Sequence, residues 1–129
     1  MLKDIKCNIG VKQGCPLSPT LFGIYIDKLE GCLEQASCAG MLLAGIVIIF
    51  LLYDDDIALL TRCPSDLDKE LRLLKYFFST MGMSVNTDKT KVMIIKSKDT
   101  YANFVYDNSN LEEVSSYKYL GIDIHHKLN

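Results

Sequence analysis

Ile46-Val47-Ile48-Ile49-Phe50-Leu51-Leu52-Tyr53-Asp54-Asp55-Asp56-Ile57-Ala58-Leu59-Leu60 is the stretch on which the reading of this chain turns. Two apolar runs flank three consecutive carboxylates. The β-branched cluster Ile46 to Ile49 favours a strand from about Ile46 to Leu52, and Ile57 to Thr61 reads as the second arm of a hairpin. Adjacent carboxylates repel and are costly to desolvate, so a block of them at a turn calls for a cation or for open solvent. Hard oxygen donors suit Mg²⁺, which takes one or two protein carboxylates and leaves its other positions to water and substrate phosphates. An ion held there could activate a hydroxyl and neutralise phosphate charge. The plainer alternative is a solvated acidic turn.

Working outward, Ser18 is placed to cap a helix with Pro19 at its first position, and Phe22, Ile26, Leu29 and Leu33 recur at helical spacing to about Gln35. Asp27, Lys28, Glu30 and Glu34 take the outer face. Beyond the hairpin, Pro64-Ser65 opens a second helix. Ser65 with Asp68 forms a capping box, and Leu67, Leu71, Leu74, Phe78 and Met81 make one core stripe before Gly82 ends it. Met1 to Val11 reads as extended, and Val92 to Ile95, Phe104 to Tyr106 and Tyr117 to Ile124 as strands, with Asp107 to Asn110 supplying turn residues. The architecture implied is α+β, helices packed on a mainly antiparallel sheet.

Four ordered blocks now stand out. They are Gly10-Val11-Lys12-Gln13-Gly14-Cys15-Pro16-Leu17-Ser18-Pro19 with Leu21-Phe22 and Ile26-Asp27; Tyr53-Asp54-Asp55-Asp56; Gly82-Met83-Ser84-Val85-Asn86 with Lys89-Thr90-Lys91; and Tyr117-Lys118-Tyr119-Leu120-Gly121-Ile122. In order and spacing they resemble the reverse transcriptases of non-LTR (LINE-type) retrotransposons, from about Gly10 to Ile124. The resemblance implies a palm-like antiparallel sheet with helices on one face. It implies that Asp55 and Asp56 are the catalytic carboxylates that ligate two Mg²⁺ (or Mn²⁺) ions, and that Tyr53 is the aromatic before them. Gln13 and Gly14 would lie against template and incoming nucleotide, Lys89 near the triphosphate, and Tyr119, Leu120 and Gly121 in a hairpin supporting the primer end. The implied partners are an RNA template, a DNA primer and deoxynucleoside triphosphates.

Two departures shape the expectation of activity. Asp54 occupies a position where this family usually carries a small or apolar residue. Successive strand side chains point to opposite faces, so Asp54 is expected to turn away from the metal, into packing. The family's third metal-binding aspartate lies on a strand upstream of the Gly10 block, and Asp4 is too close to serve. Residues 1–129 are therefore expected to be a palm fragment, incomplete at the N-terminal side, lacking fingers, first catalytic strand and thumb, and inactive alone. A non-catalytic nucleic-acid or protein interaction module derived from a retroelement is the alternative.

Composition sets the remaining bounds. At 129 residues the chain is one domain at most, and 49% hydrophobic with 23% charged residues fits a folded protein. Its net charge of −2 makes it no overall magnet for nucleic acid. The charge is nonetheless uneven. Tyr53 to Glu70 holds six acids against Arg62 and Lys69, whereas Asn86 to Lys98 holds Lys89, Lys91, Lys96 and Lys98 against Asp88. An acidic centre with a basic flank suits a metal site beside a phosphate track, and a solvated face accounts for it equally. Five cysteines with no CxxC pair read as free thiols in a reducing compartment, and the absence of a signal-like opening segment points to an intracellular protein. His125 and His126 receive no role. Ala36 to Tyr53, 18 residues without a charge, sits at the lower edge of a membrane span. Gly40, Gly45 and the β-branched cluster favour a strand there instead, so no stable membrane association is expected.

Overall fold

The computed structural model describes residues 14–95 and 103–127. Helix α1 runs Ser18–Gln35 and helix α2 Pro64–Thr80. Around them are five two-stranded ladders: β1 Met41–Leu43 with β2 Ile46–Ile48, β3 Phe50–Tyr53 with β4 Asp56–Leu59, β5 Lys91–Val92 with β8 Glu112–Glu113, β6 Val105–Tyr106 with β7 Ser109–Asn110, and β9 Ser116–Tyr119 with β10 Ile122–His125. Four pairs are antiparallel, and β5 with β8 is parallel. The chain is thus mixed α and β. The strands pair two by two rather than as one continuous sheet.

The helices lie antiparallel, because the first half of α1 meets the end of α2 and the end of α1 meets the first half of α2. Tyr25 donates its hydroxyl proton to the Met81 carbonyl at the end of α2, at 2.6 Å, and Lys69 near the start of α2 bonds the Ala36 carbonyl that closes α1. Between them sits the core. Ile26, Leu29 and Leu33 of α1 and Leu71, Leu74, Phe77 and Phe78 of α2 are buried together with Val92, Phe104, Tyr106 and Leu111. Each such side chain contributes about 1.5–3 kcal/mol by leaving water. Phe77 and Phe78 meet edge to face, ring centres 5.7 Å apart.

Both helix starts differ from the expected caps. Leu17 precedes α1 without a side-chain cap, and α2 begins at Pro64 itself, with Cys63 before it and no side-chain cap. Proline at the first turn has no N–H to orphan, so α2 starts one residue before the serine expected to cap it. Ser65 instead contacts the Cys63 thiol at 3.1 Å. The expected strand from Ile46 to Leu52 is broken at Ile49, its halves pairing with different partners. Gly40 explains part of this arrangement. A Cβ there would stand 2.5 Å from the Ile48 carbonyl oxygen, so only glycine lets the two backbones approach so closely.

Tyr117 to Ile124, expected as one strand, is a hairpin. Leu120 and Gly121 both adopt positive φ, 51° and 80°, as a two-residue primed turn requires. Val92 to Ile95 shortens to Lys91–Val92, and Phe104 to Tyr106 to Val105–Tyr106. The expected extended segment Met1 to Val11 lies outside the described residues. Among the described residues no helix is long and apolar enough to cross a membrane, and the uncharged 36–53 segment holds β1, β2 and β3.

Candidate active site

The acidic turn is built by the register of its own hairpin. Phe50 pairs with Leu59, Leu51 with Ala58, Leu52 with Ile57 and Tyr53 with Asp56, and the Leu60 amide donates to the Ile49 carbonyl at 2.8 Å. Opposed residues share a face and successive residues alternate. Phe50, Ile57 and Leu59 pack against the core, so Tyr53 and Asp56 stand together on the other face. Only Asp54 and Asp55 remain to make the bend.

Asp54 takes φ 54°, in the left-handed region that Asp and Asn enter more readily than other non-glycine residues. Its side chain is exposed, as are those of Asp55 and Asp56. This corrects the expectation that Asp54 turns into packing. The bend lifts it clear of both strand faces, so the alternation rule ceases to apply at that residue. Tyr53 is likewise open to solvent, 62% exposed.

The second hairpin approaches the first. Tyr119, paired with Ile122 at the end of β9, has its hydroxyl pushed up from the usual tyrosine range, first by burial and then by the negative charge of Asp56. Asp56 and Tyr119, 63 positions apart in sequence, therefore share one electrostatic neighbourhood, with Leu120 and Gly121 in the adjoining turn. The other residues expected at the site are less closely gathered. Gly14 adopts φ 77°, and nothing lies within 4 Å of where its Cβ would be. Gln13 lies outside the described residues. Lys89 is exposed in the loop after α2, where its amide donates to the Asn86 Oδ1 at 3.2 Å, and its side chain makes no ion pair among the described residues.

As a metal site the turn offers two or three hard oxygens in open solvent. That chemistry fits a divalent cation completed by water and phosphate. Among the described residues, no cluster of three His, Cys, Asp or Glu side chains is arranged to hold an ion by itself. One acid escaped the sequence reading altogether. Glu70 is buried on α2, three residues after Leu67 and four before Leu74, a helical spacing that marked it as facing the core.

A family model described as reverse transcriptase (RNA-dependent DNA polymerase) matches residues 2–124. The chain is 30% identical over 122 residues to a retrovirus-related Pol polyprotein from type-1 retrotransposable element R2 of Popillia japonica, covering 88% of this chain and 20% of that protein. A second protein of the same description and organism is 37% identical over 81 residues, 63% of this chain and 11% of the relative. The retrovirus-related Pol polyprotein from type-2 retrotransposable element R2DM of Drosophila melanogaster is 31% identical over 124 residues, covering 88% and 12%. The chain thus spans about a fifth or less of the curated relatives it matches.

Proposed function

Because this chain belongs to the reverse transcriptase (RNA-dependent DNA polymerase) family, we propose that it is the palm portion of such a polymerase, and that residues 1–129 lack the fingers, the first catalytic strand and the thumb. The chain is homologous to the Pol polyproteins of R2 elements, which places its origin in a non-LTR retrotransposon. The observation that carries the reading is the exposed Tyr53-Asp54-Asp55-Asp56 turn at the tip of its own hairpin, its Asp56 charge felt by Tyr119 of a second hairpin. Two carboxylates at a tight bend, with no ion pair among the described residues, leave their oxygens available to an outside cation.

In that reading Asp55 and Asp56 hold Mg²⁺ or Mn²⁺, whose chemistry when bound is to make a hydroxyl more acidic and to spread phosphate charge. The substrates are an RNA template, a DNA primer and deoxynucleoside triphosphates. The primer 3′-oxygen bonds the α-phosphorus, the bond to the β-phosphate oxygen breaks, and pyrophosphate leaves. Tyr53, the aromatic before the carboxylates, binds nucleotide or template. Gln13 and Gly14 face the template and nucleotide, Lys89 meets the triphosphate, and Tyr119, Leu120 and Gly121 support the primer end.

Among the described residues no third carboxylate joins the two, so an ion there is held weakly, by carboxylates and water, until substrate phosphate completes its shell, and the isolated chain is expected not to extend a primer. The test pairs two measurements. Mn²⁺ binding, followed by the relaxation of water protons, should weaken about tenfold or more in Asp55→Asn and in Asp56→Asn, as loss of a charged ligand predicts. Primer extension on an RNA template with Mg²⁺ or Mn²⁺ should give no product. Mn²⁺ affinity indifferent to both substitutions would overturn the site. Extension that Asp55→Asn abolishes would overturn the inactivity. Binding of a primed template without extension, indifferent to Asp55→Asn and to metal, would favour the interaction-module reading.

A further inference from the structure

Glu70 is the only charged side chain in the core among the described residues, at 0% exposure. Neither of its carboxyl oxygens has a hydrogen-bond partner there. A carboxylate ionised in such a place loses its hydration with nothing in return, so the neutral acid is the form the closed structure accepts. The groups acting on it are few. Asp66, one turn earlier on α2, opposes its ionisation and Lys69 favours it, while the Cys38 thiol feels Glu70, Lys69 and Asp66 in turn. From α1, Ile26, Leu29 and Leu33 turn inward, and the charged residues Asp27, Lys28, Glu30 and Glu34 are all exposed.

Lys69 is committed elsewhere. Its ammonium bonds the carbonyl of Ala36, at the end of α1. The turn that follows is held lightly, by the Ser37 amide on the Glu34 carbonyl at 2.9 Å and the Cys38 amide on the Leu33 carbonyl at 3.2 Å. Half-buried Cys38 is thus the point where this turn meets the Glu70 cluster. Burial first, then Asp66, raises the Glu70 carboxyl to about 7, with Lys69 opposing.

We propose that Glu70 is a proton-operated latch between the helices: its neutral carboxyl keeps the Ala36–Cys38 turn seated on α2, and loss of its proton to solvent releases that turn while the rest of the core stays folded. The ionised carboxylate must reach water, and the lightly held turn through Cys38, half-buried against the core, is the segment that yields. This holds whether or not the polymerase reading does.

Hydrogen exchange of the full chain tests it. With rates corrected for intrinsic pH dependence, protection of the Ser37 and Cys38 amides should fall about tenfold per pH unit between pH 5 and 7, the window between the ordinary 4.5 and about 7. Glu70→Gln should flatten that slope, and Glu70→Leu serves in its place should the glutamine variant not fold. The amides of Phe77 and Phe78 should stay better protected than those of the turn at every pH. A wild-type turn whose protection is independent of pH would overturn the latch. So would a slope that survives in the variants, or protection of the turn equal to that of Phe77 and Phe78, which would mean that ionisation unfolds the whole chain.

Discussion

At the β3–β4 bend Asp54, Asp55 and Asp56 all stand in solvent, whereas of the three acids on α2 one, Glu70, is shut away from it. The sequence makes the first cluster look costly and the second residue look ordinary. Burial reverses that order. Charges grouped on an exposed turn repel weakly through water and stay free to meet a cation, while one carboxyl without a partner in the core commits the fold to a protonation state. The proposed ligand site and a burden on stability are thus kept in separate parts of one small chain.

The strongest way to break this comparison is to strike the two regions with equal force. Phe78→Ala removes a buried ring from between the helices and should cost about 3–5 kcal/mol in urea unfolding, while Asp55→Asn at the exposed turn should stay within about 0.5 kcal/mol of the parent without metal. Equal losses would mean that the acidic hairpin is part of the core.

The next effect is in pH. Glu70 is raised in the folded chain above its ordinary value, so its contribution is complete below pH 4.5 and is lost as pH rises through about 7. The difference amounts to about 3 kcal/mol at full extent. Denaturant midpoints of the parent should therefore decline between pH 5 and 7.5 more steeply than those of Glu70→Leu. Superimposable pH profiles would show that Glu70 finds a partner in solution.

The smallest effect sharpens the turn itself. Asp54 is exposed at positive φ, so Asp54→Ala relieves no burial and places a less tolerant residue in the left-handed region, costing up to about 1 kcal/mol. Asp54→Gly should melt at or above Asp54→Ala, and both should keep the Mn²⁺-dependent shift in melting that Asp55→Asn loses. A shift lost in Asp54→Gly would make Asp54 a ligand.

Much of this was legible in the residues. The stripe Ile26, Leu29, Leu33 and the stripe Leu71, Leu74, Phe78 mark two helices whose buried faces are those the structure buries. The acidic block between apolar runs marks a hairpin, and Tyr53 does pair with Asp56 across it. What misled was the assumption of unbroken regularity. An apolar run from Ile46 to Leu52 carries no internal sign that it changes partner at Ile49, and strand alternation says nothing of Asp54 once the backbone enters the bend.

Helical period, the acidic turn between two strands and the succession of motifs were legible in sequence alone, because each depends on residues a few positions apart whose spacing sets which side chains share a face. The parallel pairing of Lys91–Val92 with Glu112–Glu113, the approach of Tyr119 to Asp56 and the desolvation of Glu70 beside Cys38 were decided only in the tertiary structure. Each depends on which distant segment excludes water or lends its charge, and that neighbour is chosen by the packing of the whole chain.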